Sequence, residues 1–209
     1  HGGNRLGASA LMQGLADGYF VLPATIGDYL AGHFKDPKTD TNAPEFAEAE
    51  KAIKDKIAKL FAIKGKKTVD SLHKELGHIM WEYVGMARSA EGLKTGIAKI
   101  NELKKEFWLN VYVPGENGEF NQELEKALRL ADFLEIGELM AIDALNRNES
   151  CGGHFRVESQ TEDGETKRDD ENYMYVAAWE YQGEGKEPLL HKEPLKYENI
   201  KIATRNYKD

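Results

Sequence analysis

Cysteine is nearly absent: the 209-residue chain has one, Cys151. A disulfide framework within the chain is therefore excluded, and a reducing compartment is the default expectation. Proline is sparse at six residues, which permits long uninterrupted helices. Long apolar runs are missing too. A bilayer-spanning helix needs about 20 consecutive apolar residues, whereas the most apolar early stretch, 11–30, is interrupted by Gln13, Asp17, Pro23 and Asp28. The basic start, apolar core and small-residue cleavage site of a secretory signal are also not found. Basic residues are in deficit, with 28 Lys and Arg against 36 Asp and Glu and a formal net charge of −8. Binding to a phosphate backbone requires a cationic surplus, so nucleic-acid binding is disfavoured. No G-x-G-x-x-G run occurs, and hence there is no sign of an adenine-binding βαβ unit.

What the chain does have is helical periodicity. Residues 7–19 are rich in Ala, Leu and Gly and read as a helix; Pro23 is expected to break it, with a second short helix over 25–32. Residues 35–44 (KDPKTDTNAP) have linker chemistry. A helix is predicted from Pro44, with Asn42 as its cap and Glu45 in capping-box position. Phe46, Ala49, Ile53, Ile57 and Leu60 form its apolar stripe. The run GKK at 65–67 ends it. The next helix is predicted over 69–88, capped by Thr68, with Val69, Leu72, Leu76, Ile79, Tyr83 and Met86 on one face. Ser89 opens a third, whose stripe is Leu93, Gly96, Ile100, Leu103 and Phe107. After a loop at 113–119, a fourth runs over 121–146. It is apolar on most sides, with Glu125, Arg129 and Asp132 along one polar strip, so more than one neighbour should bury it. Short connections make an antiparallel bundle the simplest arrangement.

The character changes after Asn148. Residues 159–172 are hydrophilic and read as a loop. The aromatic and β-branched run YMYVAAWEY at 173–181 reads as a strand, with 154–157 and 189–191 as possible pairing partners. The last residues read as an extended tail whose Tyr, Ile and Leu should lie against something apolar.

Three motifs stand out. HGGNRLGASAL at 1–11 combines glycines with Arg5 in a tight turn that enters a helix. The exposed N–H groups of a helix start can hold negative charge, and the Arg5 fork suits a carboxylate; from the residues alone, a surface arginine is the plainer reading. ESCGGH at 149–154 contains Cys151 and His154. Without a neighbouring base, Cys151 reads as a buried, unreactive thiol, and His154 as a structural hydrogen-bonding residue. RDDENY at 168–173 taken alone is a solvated charge run. His73 and His78 are five apart and do not share a helical face, so no metal site is expected. Trp81, Trp108 and Trp179 read as core or interface residues. Lys64, Lys66 and Lys67 read first as a solvated loop and second as a docking patch for an acidic partner.

Together and in this order, the motifs resemble those of the succinate dehydrogenase and fumarate reductase flavoprotein subunits. That family carries H-G-A-N-R-L-G, E-S-R-G-A-H and R-D-D-E-N-W, with Gly3, Cys151 and Tyr173 as departures here. The resemblance identifies the chain as the C-terminal part of such a subunit. It implies a mainly α fold: an antiparallel three- to four-helix bundle, preceded by the closing helix of the FAD-binding domain and followed by a small β or extended tail. The expected divisions are 1–34, the edge of the FAD-binding domain; 35–148, the bundle; and 149–209, the strand and tail. The first residue is His, in keeping with a fragment or a processed product.

The implied activity is interconversion of succinate and fumarate by hydride transfer with FAD. Arg5 is the implied ligand of a substrate carboxylate. Ser9, Ala10 and Leu11 form the implied flavin-contacting turn, Ala10 and Leu11 mainly through backbone. Implied partners are the dicarboxylate, an iron–sulfur subunit and, through the complex, a membrane cytochrome b subunit. The implied location is peripheral, on the cytoplasmic side of the inner membrane. Since most of the family's flavin site lies upstream of His1, this chain alone is expected to show no turnover. The rival readings are an L-aspartate oxidase-type flavoenzyme and a non-catalytic helical interaction module.

Overall fold

The computed structural model describes residues 9–116, 118, 120–183 and 185–203. Helix α1 (Ser9–Ala16) continues through a π-helical turn (Asp17–Val21) into α2 (Leu22–Ala31). Pro23 does not break this helix, contrary to the sequence expectation. It falls in the first turn of α2, directly after the widened π turn, and the backbone stays helical through it. The arm buries no residue of its second half, and it leaves Leu15, Tyr19, Phe20, Leu22, Ile26 and Tyr29 exposed.

Helix α3 (Pro44–Ile63) is capped by Ala43, without a side-chain bond. Asn42 is not the cap, because Pro44 at the helix start moves the cap one residue on; its amide instead donates to Asp40 Oδ1 at 3.0 Å. Lys64 ends α3 in the left-handed conformation, φ 47°. Leu60 is buried, but Phe46 and Ile53 face solvent, so only the last part of the expected stripe packs.

Strand β1 (Lys67–Thr68) leads into α4 (Val69–Tyr83), where Thr68 Oγ1 accepts from Ser71 N at 3.2 Å. This helix stops five residues short of the expected Arg88. Gly85 disfavours continuation, and the backbone of Arg88 is used elsewhere: its N–H donates to Phe155 O and its carbonyl accepts from Val157 N. Met86 is consequently exposed. Ser89 Oγ accepts from Gly92 N at 3.0 Å and starts α5 (Ala90–Asn110), whose five expected apolar residues are all buried. Strand β2 (Val111–Tyr112) pairs with β1 in parallel. Asn121 Oδ1 then accepts from Leu124 N and starts α6 (Gln122–Asn146).

Cross-helix contacts set the directions. Lys99 lies over the Tyr83 ring and Lys67 pairs with Glu106 at 3.8 Å, so α4 and α5 are antiparallel. Asn101 bonds Glu138 while Lys104 pairs with Glu135, so α5 and α6 are antiparallel as well. Asp70 pairs with Lys126 and His73 stacks on Phe133, so α4 and α6 run parallel. One core joins Leu60 of α3, Leu72 and Leu76 of α4, Ile100 and Phe107 of α5, and Leu130 and Leu134 of α6. The chain is mainly α with small sheets, as the sequence indicated.

Beyond α6, RDDENY is neither loop nor strand but contains a single helical turn, α7 (Asp170–Tyr173), with Asp169 Oδ1 accepting from Asn172 N at 3.2 Å. Strand β3 (Tyr175–Glu180) pairs antiparallel with β4 (Leu189–Pro194), placing Ala178 opposite His191. Residues 154–157 do not join this sheet. Arg156 bridges to Arg88 and His154 to Cys151, because the segment is held by the bundle instead. In the tail, Leu195 N donates to Met174 O, and Tyr197 and Ile200 remain exposed.

Candidate functional site

Arg5 lies outside the described residues. Ser9 opens α1, Ala10 is half-buried and Leu11 is 66% exposed. The first turn of α1 holds no acidic residue.

The second and third motifs come together behind α6. Glu149 is 3% exposed and links them: Oε1 accepts from Arg147 Nη1 at 2.8 Å and Oε2 accepts from Asp169 N at 2.9 Å. Arg147 also donates to the carbonyls of Tyr173 and Tyr175, which fixes the start of the hairpin. Ser150 is buried; its Oγ donates to Arg156 O and accepts from Arg156 N. These residues satisfy buried polar groups that would otherwise cost stability.

His154 is clamped at both nitrogens. Nε2 is 2.7 Å from Arg147 O, and Nδ1 is 2.8 Å from Arg88 Nη1. Arg88 Nε in turn donates to the carbonyls of Val84 and Gly85 at the end of α4. Burial pushes the His154 pKa down from its ordinary range; the charges of Arg88, Arg156 and Arg147 push the same way, against the hydrogen bond to Arg147 O. The structural role expected for His154 agrees with this arrangement.

A cleft of about 400 Å³ opens beside this clamp, lined by Arg88, Met140, Asp143, Arg147, Cys151 and His154. Cys151 is exposed as a residue, which corrects the expectation of a buried thiol. The turn closed by Cys151 N–H to His154 O holds it at the surface. Its thiol pKa is nevertheless raised, first by partial burial and then by the Glu149 charge. A thiol held protonated is a poor nucleophile.

Sequence reasoning missed Arg88, Arg147 and Arg156. The available signal was their position: each sits where a helix has just ended or an apolar segment begins, and a cation there can take up free carbonyls. Of the weaker candidates, His73 and His78 are exposed and apart, and no group of metal-ligating side chains occurs among the described residues. Trp179 Nε1 donates to Asp143 Oδ1 at 2.7 Å, Trp108 packs edge-on against Phe107, and Trp81 faces solvent. Lys67 pairs with Glu75 at 3.0 Å. No helix among the described residues is long and apolar enough to cross a membrane.

Comparison with known proteins gives a consistent result. A family model described as fumarate reductase flavoprotein C-term matches residues 73–207. The fumarate reductase flavoprotein subunit of Proteus vulgaris is 30% identical over 203 residues, 97% of this chain and 31% of that protein. The succinate dehydrogenase flavoprotein subunit of Bacillus subtilis is 29% identical over 156 residues, 75% of this chain and 26% of that protein. Among solved structures, an E. coli quinol fumarate reductase is similar with a TM-score of 0.67 at 25% identity, covering 81% of this chain and 28% of that one. An adenosine-5-phosphosulfate reductase shares the fold alone, with a TM-score of 0.61 at 15% identity, over 85% of this chain and 28% of that one. The chain spans about a third of the length of the first curated relatives it matches.

Proposed function

Because the chain belongs to the fumarate reductase flavoprotein C-terminal family, we propose that it is the C-terminal part of an FAD-dependent subunit that interconverts succinate and fumarate. The match over residues 73–207 carries this reading. The names of relatives from both fumarate reductases and succinate dehydrogenases support a common dicarboxylate chemistry. FAD, when bound, takes up or gives back the electrons of the reaction.

The residues of this chain supply binding and orientation. Arg5 holds one carboxylate of the dicarboxylate through paired N–H donors, fixing the substrate so that its central carbons face the flavin. Ser9, Ala10 and Leu11 bring the α1 start to the flavin edge. Residues 1–34 then belong to the FAD-binding domain, and the exposed apolar side chains of the arm, such as Leu15, Phe20 and Ile26, pack within it. The bundle of residues 35–148 and the segment 149–209 rest on that domain and offer a surface to an iron–sulfur subunit. Electrons leave by that subunit toward a membrane cytochrome b subunit, and the whole is held peripherally on the cytoplasmic side of the inner membrane.

The test is Arg5→Ala in the full-length protein that contains this chain. Succinate oxidation and fumarate reduction should both fall, by about 3 kcal/mol or more in transition-state stabilisation, while the flavin spectrum is kept. Unchanged kcat/KM for both dicarboxylates would overturn the reading.

A further inference from the structure

The geometry points to His154 as an acid-sensitive latch: its neutral imidazole joins the turn at 151–155 to Arg88 beyond α4 and to Arg147 at the end of α6, and protonation of the ring loosens that turn while Glu149 and Arg156 still tie its flanks to the bundle. Hydrogen-bond polarity fixes the state of the ring. A carbonyl oxygen only accepts, so Nε2, 2.7 Å from Arg147 O, carries the proton. A guanidinium only donates, so Nδ1, 2.8 Å from Arg88 Nη1, presents its lone pair. The bridge therefore exists only for the neutral tautomer protonated at Nε2. A proton at Nδ1 would set donor against donor and place two cations in contact.

The surroundings offer the cation little compensation beyond the hydrogen bond to Arg147 O. Arg88 faces the ring from the connection after α4, Arg147 from the end of α6 and Arg156 from the segment itself, and Asp143 and Cys151 share the cleft with it. Glu149 is engaged by Arg147 and the Asp169 amide, and Asp143 Oδ1 by Trp179. Burial, aided by the arginine charges, holds the folded-state pKa below the ordinary 6.5 against the hydrogen bond to Arg147 O. The unfolded chain thus binds the proton first as pH falls. The latch contributes fully above about pH 6.5 and is lost as pH drops through that value toward the depressed folded one.

Several backbone bonds depend on the clamp. Cys151 N–H donates to His154 O at 2.9 Å, Arg88 N–H donates to Phe155 O at 3.1 Å, and Val157 N–H donates to Arg88 O at 2.9 Å. Releasing them frees the wall of the cleft formed by Cys151 and His154.

The experiment is amide hydrogen exchange on the full-length protein that contains this chain, at about pH 7.5 and about pH 5, corrected for intrinsic rates, with imidazole nitrogen NMR alongside. The expected result is loss of protection at Cys151 and Val157 at the lower pH, with the Phe107 amide in the core of α5 unchanged. His154→Gln keeps one acceptor for Arg88 and one donor for Arg147 O but cannot titrate, so protection should persist at both pH values. Equal pH dependence in the parent and His154→Gln, or no loss in the parent, overturns the latch. The NMR measurement serves if the variant fails to fold: a neutral ring protonated at Nε2 that titrates below pH 6.5 is expected, and a ring titrating at or above that value is incompatible with the proposal.

Discussion

Arg156 donates from Nη1 to the carbonyl oxygen of Ala144 at 3.0 Å, which places a cation that is 2% exposed at the carboxyl end of α6. The same nitrogen reaches Leu145 O at 3.3 Å, while Nε pairs with Glu158 at 3.2 Å. The last carbonyls of a helix have no intrahelical donors and carry the negative end of its dipole. A fixed guanidinium answers both needs, and it ties the 149–157 segment to the bundle.

Arg156→Leu should therefore be strongly destabilising. It leaves buried carbonyls without a donor while keeping most of the side-chain bulk. The expected loss is about 3 kcal/mol, read as a lower urea midpoint at unchanged m-value. Arg156→Lys, with its charge intact but its fork gone, should fall between the two. A loss below about 0.5 kcal/mol for Arg156→Leu would contradict the capping role.

Helix starts allow a paired comparison. Ser89→Ala removes the acceptor for Gly92 N and should cost about 1 kcal/mol. Asn42→Ala should cost almost nothing, because Ala43 is the cap of α3 and Asn42 only meets Asp40 in an exposed turn. Thermal unfolding of the two variants decides it; equal losses would show that Asn42 caps α3 in solution.

Two glycines make a second pair. A Cβ on Gly65 would run into the backbone carbonyl of Asn110, where the chain leaving α3 crosses the end of α5. Gly65→Ala should push β1 away from β2, with a loss of about 1–3 kcal/mol. Gly77 lies in the middle of α4 with open space around its Cβ position, so Gly77→Ala should gain up to about 1 kcal/mol from helix propensity and chain entropy. Denaturant titration of both variants is the check, and a stabilising Gly65→Ala would contradict the close approach.

The bundle was legible in the sequence because its signals are local. The stripe Leu93, Gly96, Ile100, Leu103 and Phe107 repeats at helical spacing, and all five residues are buried. Thr68 and Ser89 announce helix starts because an extended residue with a short oxygen-bearing side chain can bond an N–H three positions on. The motifs likewise placed the family, since a short ordered string of residues survives where overall identity is near 30%.

Tertiary structure decided what depends on partners distant in the chain. Phe46 and Ile53 share a helical stripe with Leu60, yet only Leu60 meets the core, because periodicity defines a face and not what lies opposite it. Residues 154–157 could equally have joined the hairpin as a strand. They pair with Arg88 because Arg156 and His154 find the free carbonyls at the end of α6 and the guanidinium beside α4. Local sequence specifies backbone preference and which side chains avoid water; which buried charge satisfies which distant carbonyl is settled only when the helices have packed.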